Sequence, residues 1–212
     1  DVGDHGAYGV VNIGAAEGEN AVAPGFFVGS DLLLAPFTDA VFNHNATDYS
    51  FDASISGFAN LKFLSGTTKL TGDSSLFNGN ATITNSTLNM AERAKLGGTL
   101  TVSDAGRLEG SGQVGTTIIN AGGTLAPSGT RSMTINGDLT LNSGGAFLPS
   151  DTASLIVNGN ATFNSGAAYN YNLAVGGIAT SATTVVNGNV ALNGTTLNIS
   201  GEPAIGYHRL IS

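Results

Sequence analysis

The chain has 212 residues, a formal net charge of -8, no cysteine, 41% apolar residues and only 10% charged ones. That apolar fraction excludes disorder, and the missing cysteines exclude a disulfide scaffold and a Cys-ligated zinc site. The bases Lys62, Lys69, Arg93, Lys95, Arg107, Arg131 and Arg209 stand singly among 15 acids, which excludes nucleic acid and an anionic membrane surface as expected partners.

Glycine, at 31 residues, has about twice its usual share. With Asn, Ser and Thr supplying most of the polarity, this is the composition of a turn-rich β protein. The first segment, 1–45, is the least regular. It opens DVGDHG, without a basic start and apolar run, so any signal peptide is expected to have been removed and the chain to be soluble. Phe26, Phe27 and the run Leu32 to Leu34 read as irregular coils with longer loops, and that run is too short to span a bilayer.

Across 46–134 and 135–212 a short pattern recurs, apolar-Asn-Gly-Asn/Asp-apolar-x-apolar. The copies are FNGNATI from Phe77, INGDLTL from Ile135, VNGNATF from Val157 and VNGNVAL from Val186. Their spacings of 58, 22 and 29 residues correspond to about three shorter coils and then two single ones, a solenoid period. Each unit predicts one or two short strands followed by a turn. A short helix is predicted only at MAERAKL, residues 90–96, ahead of Gly97.

Two architectures accommodate this pattern. Asn-Gly between apolar runs signals hairpins, hence a sandwich or barrel. In a parallel β-helix, by contrast, each repeat is one coil, with Asn or Gly at a positive-φ corner. Coil-sized repetition with few charges and small corner residues favours the β-helix. It predicts columns of equivalent positions: Ile135, Val157 and Val186; Leu139, Ala161 and Val190; Leu141, Phe163 and Leu192. Phe77 should share the inward position of Val186.

The stretch GSGQVG fits the dinucleotide template G-x-G-x-x-G at Gly110, Gly112 and Gly115. That template requires a following helix. Here TTIINAGGTLAPSG follows, with β-branched pairs, a double glycine and a proline, so no nucleotide is expected. The stretch LEGSGQVGTTIINAGGTLAPSG instead resembles a hallmark segment in the passengers of bacterial autotransporters (type V secretion). The resemblance extends over most of the chain, through VVNIGAA, APGFFVG, AVFNHNATDYSFDASISG, GTTKLTGDSSLFNGNATITNSTLN, LGGTLTV, INGDLTL and the ending GYHRLIS. Ser128 departs from it, standing where the family usually has glycine.

The resemblance implies an all-β, right-handed, single-stranded parallel β-helix exported across the outer membrane of a Gram-negative cell. Its C-terminal coils, 135–212, would act as an autochaperone, and Gly110, Gly112 and Gly115 would be coil corners. The passenger would stay at the cell surface or be secreted. Its expected partners are a host receptor, extracellular matrix or a second passenger copy, besides its own outer-membrane barrel. Adhesion, self-association or host interaction is the expected role, with a released virulence ligand as the alternative and a hydrolase as a further one.

Candidate chemistry is sparse. Gly72-Asp73-Ser74-Ser75 is similar to an esterase nucleophile block, but Ser75 replaces leucine and His208 lacks an Asp three residues before it, so a coil turn is expected. His5, His44 and His208 stand far apart in sequence, and Asp4–His5 and His44 with Asp48 read as surface polar residues. Glu92, Arg93, Lys95, Arg107 and Glu109 are similar to the charged face of a β-helix lyase, but read as a solvated loop. Asn45, Asn80, Asn85, Asn160 and Asn193 open N-x-S/T triplets expected to be chance products of composition. No catalytic, cofactor-binding or metal-ligating residue is assigned, no cofactor is expected, and the binding residues stay unknown.

Overall fold

In Leu139–Leu141, Leu155–Val157 and Ala161–Phe163 the outer two residues are buried and the central one is half-buried. Such a period of two is what a strand with one wet face requires. The computed structural model describes residues 9–149, 153–173, 184–201 and 210–212 and, among these, contains no helix. The strands form a 13-stranded, an 8-stranded and a 2-stranded sheet. Within them, each strand pairs in parallel with strands of the coils before and after it, never with its neighbour along the chain. This is the topology of a parallel β-helix, and no hairpin of the sandwich alternative occurs among the described strands.

Register turns the repeat into continuous columns. Val11, Ala40, Leu61, Ala81, Leu100, Thr117, Leu139, Ala161 and Val190 are successive Cα partners. Two residues further on, Ile13, Phe42, Phe63, Ile83, Val102, Ile119, Leu141, Phe163 and Leu192 form the adjacent column. From the second sheet, Leu88, Leu108, Leu125, Phe147 and Tyr169 face them. Equivalent aromatic residues meet one rung apart, Phe42 and Phe63 stacked at 4.8 Å and Phe147 and Tyr169 edge-on at 4.9 Å. Each large apolar side chain buried this way contributes about 1.5–3 kcal/mol. The columns cross residues 45 and 134 without a break.

The three columns expected for the copies from Ile135, Val157 and Val186 are found in register. The 58-residue gap before Ile135 does hold three coils, since Ala81, Leu100, Thr117 and Leu139 are consecutive rungs. Phe77, however, is not on the Val186 column. That column runs back from Ile135 through Val114 and Leu96 to Ser74. The segment from Ser74 to Ala81 is three residues longer than that from Ile135 to Leu139, and Phe77 occupies the excess. It is fully buried and bridges Gly57.

Residues 90–96 form no helix. Met90 ends the strand Thr87–Met90, the chain turns at Ala91 to Ala94 with a 2.9 Å bond from the Ala94 amide to the Ala91 carbonyl, and Lys95–Ser103 follows. Met90 pairs with Leu70 and Leu96 with Ser74, so the rungs already occupied decide the conformation against local helix propensity.

The Asn-Gly glycines are corners of another kind than expected, because Gly137, Gly159 and Gly188 do not have positive φ. Small size is what they contribute: a Cβ on Gly188 would lie 2.5 Å from the Gly159 carbonyl oxygen. The left-handed corner is the column Gly122, Gly144, Gly166 and Gly194, with φ between 75° and 79°. Its members hydrogen-bond along the axis, Gly122 N–H to Gly144 O and Gly144 N–H to Gly166 O, at 2.9 and 2.8 Å.

Gly110, with φ 103°, and Gly112 lie at the bend between Arg107–Gly110 and Gln113–Ile119, but Gly115 lies inside the latter strand, opposite a bulge. Ser128 adds a bond that glycine could not, its hydroxyl accepting from the Gly110 amide at 3.0 Å.

Polar residues are stacked as regularly as apolar ones. Asn187 donates to Asn158, Asn158 to Asn136, and Asn136 to Gln113, at 2.9, 3.0 and 3.1 Å. A second ladder joins Asn193, Asn164, Asn142 and Asn120. At one end the columns stop on exposed Val190, Leu192, Leu197 and Ile199. There Ile211 bridges Thr184, and the Val186 amide donates to the Ser212 carbonyl at 2.8 Å.

Candidate functional site

Ser74, the would-be nucleophile, is buried, and its hydroxyl accepts the Ile55 amide at 2.8 Å. It is a rung of a column. Asp73 turns outward to Lys95 at 2.7 Å, and this hydrogen bond, with further ones from Ser75, holds its carboxyl down at about 2. The block is thus not the expected turn: Asp73 and Ser74 form a two-residue strand paired with Lys95 and Leu96, the chain turns only at Ser75, and Ser74 is a structural serine.

His44 corrects the expectation of a surface residue. It is fully buried, 2.8 Å from the Thr68 hydroxyl through Nε2, and its ring lies 5.1 Å from that of Tyr49. Burial pushes its pKa below the ordinary 6.5, so the imidazole is neutral at physiological pH. Asp4, His5 and His208 lie outside the described residues.

The charged cluster divides between two faces. Arg107 and Glu109 pair with each other at 2.9 Å on the second sheet, where Asn89 also donates to Glu109. Glu92, Arg93 and Lys95 lie elsewhere and are joined by Arg131. The register explains this, because Lys95, Gln113 and Thr134 are successive partners on adjacent coils. Two residues before each stand Arg93, Ser111 and Ser132. Together with Glu92 and Arg131 they line an open groove of about 670 Å³ that crosses three coils.

Within the groove Arg131 Nε holds Glu92 at 2.7 Å, and Lys95 is held by Asp73. Arg93 is exposed and has no carboxylate partner among the described residues. Gln113 accepts from Asn136 through Oε1, which leaves its amide NH2 for the groove. The lining contains three bases and one carboxylate, and with Asp73 beside Lys95 counted in, one base is in excess, so the site is locally positive on a chain of net charge -8. Sequence reasoning singled out Glu92, Arg93 and Lys95 but grouped them with Arg107 and Glu109 and missed Arg131, which stands 36 to 38 positions beyond Lys95 and Arg93. The detectable signal was coil spacing, with Lys95, Gln113 and Thr134 separated by 18 and 21 residues.

A smaller cleft, of about 370 Å³, lies beside the irregular N-terminal coils. Phe27 packs there against Phe51 at 5.2 Å, Phe26 is exposed, and Asp48 and Asp52 make the rim acidic. Hydrogen bonds from Thr71 and Ser50 hold the Asp52 carboxyl below its usual range. Comparison with protein-family models, with curated proteins and with solved structures finds no match for the chain.

Proposed function

We propose that the chain is a non-enzymatic recognition rod, the passenger of an autotransporter or part of one, exposed on or released from a Gram-negative cell, where it mediates adhesion, self-association or host interaction. The observation that carries this reading is the unbroken column from Val11 to Val190. At about 4.8 Å per rung it is a stiff support roughly 40 Å long. Its flanks carry polar ladders and open grooves, which suit contact with an extended partner. Ser74, at the nucleophile position of the esterase-like block, has its hydroxyl committed to a backbone amide, which supports a role other than hydrolysis. The autotransporter-like segment, residues 108–129, lies within the stacked coils and supplies the middle coil of the groove.

Antibody labelling of intact producing cells, together with beads coated with the chain, tests this reading. Surface or culture-medium localisation and adherence of the beads to host cells, matrix or one another are expected. Label confined to the cytoplasm, or beads that bind none of these, would contradict it.

A further inference from the structure

We propose that the groove at Arg93, Lys95 and Arg131 binds a carboxylate-bearing polysaccharide, with uronate groups seated on the two arginines; this inference rests on the recognition-rod reading. The groove gathers three of the chain's seven bases, although the chain as a whole is acidic. Arg93 is exposed and without a carboxylate partner among the described residues, and Arg131 shares its guanidinium with Glu92. A guanidinium matches a carboxylate in a two-point, charge-assisted contact.

Between the arginines lies one intervening coil, so their backbones are about 10 Å apart along the axis, the scale of a disaccharide repeat, while the Arg131 side chain leans back to Glu92. That coil contributes Ser111 and the free amide of Gln113. Such neutral donors and acceptors suit the hydroxyl groups between two acidic sugars. Glu92, inside the groove, disfavours a densely charged polymer. Single-stranded nucleic acid is disfavoured as well, because it is held by aromatic stacking and the lining has no aromatic ring.

The test is calorimetric titration of the 212-residue chain with a hyaluronan hexasaccharide, which alternates uronate with a neutral sugar, and with a neutral chitin hexasaccharide. Hyaluronan binding with a Kd below about 1 mM, weakening as salt rises, is expected, and none to the neutral oligomer. Arg93→Gln and Arg131→Gln should each weaken binding about tenfold or more, whereas Lys69→Gln, outside the groove, should not. Both arginines are exposed, so circular dichroism should be unchanged. Lack of hyaluronan binding, equal affinity for the neutral oligomer, or indifference to Arg93→Gln would overturn the proposal. Tighter binding of a sulfated heparin hexasaccharide through the same arginines would also overturn the assignment to carboxylates. If beads adhere as expected but no hyaluronan binds, only the ligand is wrong; if neither occurs, the underlying reading fails too.

Discussion

Asn142 donates its side-chain amide to Asn120 Oδ1 at 2.8 Å, and its own Oδ1 accepts from Asn164 at 2.9 Å. One side chain therefore ties three successive coils together at a half-buried position. Asn142→Ala removes both bonds and leaves Asn120 and Asn164 each one partner short, at a cost of about 1–2 kcal/mol. Asn158→Ala, in the exposed ladder where water can replace the lost partner, should cost under about 0.5 kcal/mol. Urea unfolding of the two variants checks the order.

Stability should follow position within the column. Phe163 and Leu192 are register partners, yet Phe163 is fully buried and Leu192 is 62% exposed at the uncovered end. Phe163→Ala should cost about 3–5 kcal/mol, and Leu192→Ala below about 1 kcal/mol. Equal losses in thermal unfolding would mean that Leu192 is covered in solution.

Ser74→Ala takes the acceptor from a buried backbone amide, that of Ile55. A loss of about 1–3 kcal/mol is expected in urea unfolding, with no change in the background turnover of a chromogenic ester. An ester activity that disappears with Ser74 would contradict the structural role.

How far these features were legible in the sequence depends on how alike the coils are. The copies from Ile135 and Val157 share the same apolar-polar pattern and equal internal length, so Leu141 and Phe163 could be placed on one rung from spacing alone. Phe77 could not, because a three-residue excess between Ser74 and Ala81 shifts it off the column while preserving the motif. Thr117 likewise occupies a core rung that an apolar pattern skips, its hydroxyl satisfied by the Gly115 carbonyl at 3.0 Å. His44 with Asp48 reads as a surface polar residue in the sequence, and only pairing of its coil with the next brings Thr68 to its ring. The groove was hidden for the same reason, since it belongs to three coils and to no single stretch.

Acid should destabilise the rod in two steps. The unfolded His44 imidazole takes up a proton near 6.5, while the buried one has its pKa lowered by desolvation. Its contribution is therefore complete above 6.5 and declines as the pH falls from 6.5 towards the lowered folded value. The Asp73–Lys95 contact acts lower, its contribution being lost between the ordinary 3.8 and about 2. Urea midpoints measured from pH 7.5 to 5 should fall for the native chain and flatten for His44→Phe; parallel slopes would contradict the buried neutral imidazole.

Parallel stacking of successive repeats is tested most directly by engineered cysteine pairs, for which a chain without cysteine gives a clean background. Thr140 and Thr162 are register partners on adjacent coils with outward, half-buried side chains. Parallel neighbours about 4.8 Å apart fall within the Cα separation that a disulfide bridges. A hairpin turning at Asn136-Gly137 would instead place Met133 opposite Thr140. Under mild oxidation, Thr140→Cys with Thr162→Cys should form an intramolecular disulfide in high yield, and Met133→Cys with Thr140→Cys should not. The reverse pattern, read by mass spectrometry of the peptides, would contradict the β-helix.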